Sequence, residues 1–217
     1  MPTLQTHRAA AFLFDMDGVL MDSTAAVLGH WREFARWQGI EEEALLADVH
    51  GRRAVDVIER WRGSLRTTTE EAIRQFEAMD VAGDEGILAM PGAVETLAAL
   101  PADRWALVTS ATRAAARTRL SAAGLPLPRT IVAADDVTHG KPHPTPYLAA
   151  ARELGVSPSE CLVVEDAPNG VRAGKDAGCR VLALLTTHPA QELGAADLIA
   201  PDLTAVRLRA VPAAAEG

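Results

Sequence analysis

The chain has 217 residues, with 21 Lys and Arg against 29 Asp and Glu, a formal net charge of −8 with histidine neutral. That length predicts one to two domains and a core that needs no staples, and 48% hydrophobic with 23% charged residues excludes general disorder. The acidic balance excludes an extended nucleic-acid surface, which needs clustered Lys and Arg.

In chain order, Ala9 to Phe14 is a short apolar run that stops at Asp15. About 70 residues without a strand-like run follow, and they read as helices over 24–38, 41–47, 52–61 and 69–79. Thr68 followed by Glu71 is a capping-box pattern before the last of these. Gly18 and the Ala89-Met90-Pro91-Gly92 stretch mark the two ends of this block. From Trp105 the rhythm changes. Apolar runs at 105–108, 130–133, 161–164, 180–185 and 197–200 alternate with helical segments at 111–123, from Pro146 to Leu154, and at 167–177. Continuous rather than alternating apolar runs belong to strands buried on both faces of a parallel sheet. The predicted fold is α/β, a Rossmann-like doubly wound parallel sheet with an inserted α-helical cap. Residues 1–18 and 89–217 form the core and 19–88 the cap, with the tail from Arg209 frayed.

No run of about 18 apolar residues exists, so no membrane helix and no membrane partner are expected. No apolar signal run precedes Ala11. Cys161 and Cys179 stand outside any Cys-x-x-Cys pair and read as buried hydrophobes of a reducing compartment, so the expected location is cytoplasmic. A monomer or weak homodimer is expected.

Ligands of an open parallel sheet bind at the carboxyl ends of its strands. Here those ends carry Asp15 and Asp17, Thr109 and Ser110, Asp135 and Asp136, and Glu165 and Asp166. Residues i and i+2 of an extended chain point the same way. Asp15 and Asp17 therefore face one spot, where one can attack phosphorus and the other can serve as general acid and then base. Two carboxylates there can also ligate a hard cation. Read locally, Asp-Gly is a common turn and Asp166 a helix N-cap. A second acidic cluster at the same sheet edge favours the metal. Lys141, presented by Gly140 and Pro142, can offset phosphate charge. Ser110 and backbone N–H groups opening the helix at Ala111 can hold phosphate oxygens. His139 and His143 are separated by a proline and do not share a helix face.

These residues resemble the four motifs of the haloacid dehalogenase superfamily: DxDGxxxDS at 15–23, Thr-Ser at 109–110, GKPxP at 140–144 and VVEDAPNG at 163–170. Their order and spacing match along almost the whole chain. The resemblance implies Asp15 as the nucleophile that becomes an aspartyl phosphate and Asp17 as general acid/base. It implies Ser110 as the motif-two hydroxyl, or Thr109 if the alignment slips by one, with Ala111 beside them, and Lys141 as the motif-three lysine. It implies Mg²⁺ held by Asp15, Asp17 and Asp166, with the Asp17 carbonyl also on the metal and Glu165 as a ligand or water-holding partner. THGKPHPTPYL, VVEDAPNGVRAGKDAGC and the His50-Gly-Arg-Arg53 stretch look like the small-polyol and sugar phosphatases, although Thr145 and Ala111 replace the usual Glu and Gly. The implied activity is hydrolysis of a small sugar- or polyol-phosphate monoester, with His50, Arg53 and Trp31 as cap contacts to the substrate. A phosphosugar mutase of the β-phosphoglucomutase type is the alternative. Such mutases hold a second phosphate with a cap arginine, whose place Ala54 takes beside Arg52 and Arg53. A non-catalytic phosphate-binding protein is the third reading, and the complete set of reactive residues counts against it.

Overall fold

The computed structural model describes residues 4–49, 51–82 and 86–213. Its centre is a six-stranded sheet in the order β6-β5-β2-β7-β8-β9, built from β2 (Ala11–Phe14), β5 (Trp105–Val108), β6 (Thr130–Val132), β7 (Cys161–Glu165), β8 (Arg180–Leu184) and β9 (Leu198–Ala200). Every pairing in it is parallel.

The apolar runs are continuous because both faces are covered. Phe12, Phe14, Leu107, Val164 and Leu182 point into one core and Leu13, Ala106, Val108, Val163 and Val181 into the other. Helices α5 (Ala93–Ala98) and α6 (Arg113–Ala122) close the first face, and α7 (Thr145–Leu154) and α8 (Pro168–Asp176) the second. Gly124 and Gly178 follow the ends of α6 and α8 at φ 65° and 79°, and Gly155 caps α7 at φ 67°. This left-handed backbone is open to glycine without a Cβ penalty.

Between β2 and α5 lie α1 (Thr24–Gln38), α2 (Glu42–Leu46), α3 (Ala54–Arg60) and α4 (Thr69–Ala82). They share a separate core of Trp31, Phe34, Leu45, Val57, Ile58 and Phe76, in which the Trp31 and Phe76 rings lie 4.0 Å apart. At the feet of this block the short strands β3 (Met21–Asp22) and β4 (Leu88–Ala89) pair antiparallel. Glu71 N–H donates to Thr68 Oγ1 at 3.2 Å, the expected cap of α4.

Several elements differ from the sequence reading. Gln5–Ala9 forms β1, which pairs with β10 (Val206–Ala210), so Arg209 lies in a strand rather than a frayed tail. Neither strand carries an apolar run, and each is stabilised by the other across the length of the chain. Helix α5 had no strong periodic signal. Helix α6 begins at Arg113 instead of Ala111, because Thr112 takes the cap position and accepts from Ala115 N–H at 3.3 Å.

Candidate active site

The carboxyl ends of β2, β5 and β7, with the loop before α7, converge on one cavity. Asp15, Asp17, Ser110, Ala111, Lys141, Glu165 and Asp166 all line it. The β2 ladder runs one residue past the strand, since Asp15 N–H donates to Val164 O at 3.0 Å, and this brings the Asp15 side chain beside β7.

Lys141 is buried and all three of its N–H donors are used. Nζ donates to Asp15 Oδ1 at 2.6 Å, Glu165 Oε1 at 2.7 Å and Val108 O at 3.1 Å. Burial works against this ammonium, and the two carboxylates outweigh it, raising its pKa above the ordinary lysine value. Glu165 is equally committed: Oε1 also accepts from Tyr147 OH at 2.7 Å, and Oε2 accepts from Asp166 N–H at 3.0 Å and Ala167 N–H at 3.2 Å. Glu165 is thus the hub that fixes Lys141 and the backbone carrying Asp166.

Asp166 Oδ2 accepts from the Thr187 hydroxyl, whereas Oδ1 is buried with no partner among the described residues. A buried carboxylate oxygen without a donor is costly. Asp15, Glu165 and Asp166 each offer an oxygen within 4.8 Å of one another. Hard, acceptor-only oxygens around an orphaned atom suit a divalent cation of the Mg²⁺ type. The expected set of side chains differs in one member. Asp17 turns away from this cluster, because Ser23 OH donates to its Oδ1 and Arg119 Nη1 reaches both oxygens at 3.0 Å. Only its carbonyl is left for a cation.

Burial and the neighbouring Glu165 push the Asp15 carboxyl up from 3.8 to about 7 against the pull of Lys141. Burial, Glu165 and Asp15 raise Asp166 as well. Carboxyls raised on folding bind more protons in the folded state. Their contribution therefore destabilises the cation-free protein as pH climbs from about 4 through 7. A divalent cation reverses this only when they are ionised. At a fixed concentration about 100 times its Kd at pH 8, it should raise Tm by ~5–10 °C near pH 8 and by much less near pH 5, where its Kd is weaker. Thermal melts at both pH values test this, and equal increments would refute it.

The remaining expectations divide. Ser110 lines the cavity, with its hydroxyl 3.4 Å from Gly51 O. Thr109 is buried behind it, and its Oγ1 accepts from Ala111 N–H at 3.1 Å. The start of α6 does not offer the expected free N–H row, since Arg113 N–H donates to Asp135 Oδ1 at 2.9 Å. Asp136 is tied to Ala133 N–H at 2.8 Å and to Arg113. Both acids of that strand end are therefore structural. Trp31 lines the cavity as part of the helical core. His50 lies outside the described residues.

Arg53 differs from its expectation. It is buried outside the cavity with all five guanidinium donors spent, on Asp56 Oδ2 (2.8 Å) and Oδ1 (2.7 Å), Ala134 O (3.3 Å), Val137 O (2.7 Å) and Thr138 O (3.0 Å). It ties α3 to the loop that leads to Lys141.

Sequence reasoning missed Arg119, Asp80, Ser23 and Tyr147. Arg119 carried a signal: it is the lone arginine on the Ala115-Ala116-Leu120 face that α6 buries.

Fold and site together define an α/β enzyme core whose acidic, lysine-anchored pocket opens at the carboxyl edge of a parallel sheet. Residues 9–178 match the haloacid dehalogenase-like hydrolase family, and the chain belongs to that family. It is 38% identical over 211 residues to hexitol phosphatase A of Escherichia coli, covering 94% of this chain and 96% of that protein. It is 36% identical to glycerol-1-phosphate phosphohydrolase 2 of Saccharomyces cerevisiae, over 82% of this chain and 75% of that one. Among solved structures, a hydrolase from Pseudomonas syringae superposes with a TM-score of 0.78 at 28% identity, covering 89% of this chain and 94% of that one. No helix among the described residues is long and apolar enough to cross a membrane.

Proposed function

We propose that the protein is a phosphatase that hydrolyses small sugar- or polyol-phosphate monoesters through an aspartyl phosphate on Asp15. The observation that carries this reading is that Asp15, held by Lys141 at 2.6 Å, and Asp17 line the same cavity. The family and the activities named for the two relatives support it.

Lys141 orients the Asp15 carboxylate, which attacks phosphorus as the bond to the ester oxygen breaks. Asp17 gives a proton to the departing alkoxide. Ser23 and Arg119 hold its Oδ1, and Arg119 alone touches Oδ2, so Oδ2 is the oxygen that turns to the leaving group. Asp17 then takes a proton from water as that water attacks the aspartyl phosphate, releasing phosphate and restoring Asp15. Ser110 faces the phosphoryl oxygens, and Lys141, whose donors are spent on its neighbours, contributes its positive charge to the field around them. Asp15, Asp166 and the Asp17 carbonyl would hold Mg²⁺, which would supply charge neutralisation there. The helical block 19–88 acts as a cap that excludes water and reads the alcohol. The two unpaired buried cysteines support a reducing, cytoplasmic setting.

A mutase needs a cap arginine for its second phosphate. Arg53 has no donor left for one, and Arg52, which lines the cavity, faces Asp48 at 3.5 Å.

The test is release of inorganic phosphate from glycerol, sorbitol, 2-deoxyglucose, glucose and glycolate phosphates, with Mg²⁺ and with EDTA. Turnover of the polyol and sugar esters that EDTA abolishes is expected. Absence of release from every ester, or turnover only with a bisphosphate activator and without net phosphate release, would overturn the reading.

A further inference from the structure

Asp80 lies on α4, almost buried, in the wall of the cavity that holds Asp15 and Asp17. Its Oδ1 accepts from Arg119 Nη2 and lies 3.2 Å from His30 Nδ1, whereas Oδ2 has no partner among the described residues. Burial raises this carboxyl, but the bonds from His30 and Arg119 outweigh burial and hold it below its ordinary value. Arg119 is the same residue whose Nη1 grips Asp17 at 3.0 Å. One guanidinium therefore separates the group that protonates the leaving oxygen from an ionised acceptor on the helical block. Val27, Leu28, Trp31 and Phe76 supply apolar lining to the cavity.

A carboxylate oxygen with no donor of its own accepts a hydroxyl and repels a second anion. We propose that Asp80 determines specificity: its Oδ2 accepts a hydrogen bond from a hydroxyl of the leaving alcohol. The enzyme then takes neutral, polyhydroxylated monoesters and disfavours those with a carboxylate or second phosphate. This rests on the phosphatase reading and narrows its substrate class.

The test compares wild type with Asp80→Asn on sorbitol 6-phosphate, 2-phosphoglycolate and p-nitrophenyl phosphate, with Mg²⁺. Asn keeps an oxygen for Arg119 but presents an N–H₂ donor in place of one acceptor. Hydrogen bonds to charged groups predict a loss in kcat/KM on sorbitol 6-phosphate ~10–100-fold larger than the loss on p-nitrophenyl phosphate, whose leaving group has no second hydroxyl. The rate on 2-phosphoglycolate should rise relative to both. A merely structural role would lower all three alike, and that result, or no change, overturns the proposal. Should the variant not fold, wild type alone decides. It should prefer glycerol 1-phosphate to propyl phosphate by about tenfold or more, and equal rates overturn the proposal. If wild type hydrolyses no ester, the phosphatase reading falls and takes this one with it.

Discussion

Asp15→Asn should abolish turnover, by at least ~10⁴-fold, and should stabilise the cation-free protein at neutral pH. The two effects have one cause. The Asp15 carboxyl is raised from 3.8 to about 7 because burial and Glu165 disfavour its charge more than Lys141 favours it. At 1.36 kcal/mol per pH unit, ionising it in the folded state costs on the order of 4 kcal/mol. Asparagine removes that charge and keeps an oxygen for Lys141, which retains Glu165 and Val108 O as acceptors. A gain of roughly 1–3 kcal/mol is expected, the remainder being lost to imperfect pairing of the amide. It also removes the nucleophile. Thermal melts with EDTA, together with phosphate release, check both halves. A variant that is both inactive and less stable would contradict this account of the charge cluster.

Gly170→Ala should cost roughly 3–5 kcal/mol and reduce kcat by about 10²–10³-fold, although residue 170 brings no side chain to the cavity it lines. A Cβ there would lie 1.7 Å from Glu165 Oε1 and 1.9 Å from its Cδ. The methyl group must displace a carboxylate that is fully buried. With it go an acceptor of Lys141, the partner of Tyr147 OH and the oxygen that fixes the Asp166 and Ala167 N–H groups. Lys141 and Asp166 then lose the support that aims them into the cavity. Gly29→Ala is the matched control. It lies within α1 with nothing within 4 Å of the added carbon, and it should stabilise by about 0.5–1 kcal/mol. Chemical denaturation and kcat for both variants decide the matter. Wild-type stability and rate in Gly170→Ala would mean that Glu165 has room to move.

Much of the fold was legible because the central strands are buried on both faces. Each of them reads as an apolar run, and all six are recovered to within two residues. The run of β2 ends where the strand does, with Asp15 following Phe14. β1 was invisible. Its sequence, QTHRA, carries two buried residues among exposed ones and is defined by pairing with Val206–Ala210.

Within the site, spacing alone put Asp15 and Asp17 at one place, and motif order singled out Ser110, Lys141, Glu165 and Asp166. Local pattern carries such information, because side-chain direction within a strand and capping at a helix start are set over a few residues. It does not carry the division of labour among them. That Asp17 faces Arg119 rather than the acidic cluster depends on a contact across 102 residues, and the Arg119–Asp80 pair on one across 39. That Arg53 is a strut instead of a substrate contact depends on backbone carbonyls some 80 residues away. The sequence by itself determined which residue types stand at the ends of which strands. Only the tertiary structure decided which donor each carboxylate receives, because a buried charge takes its role from partners that the topology brings to it and not from its neighbours along the chain.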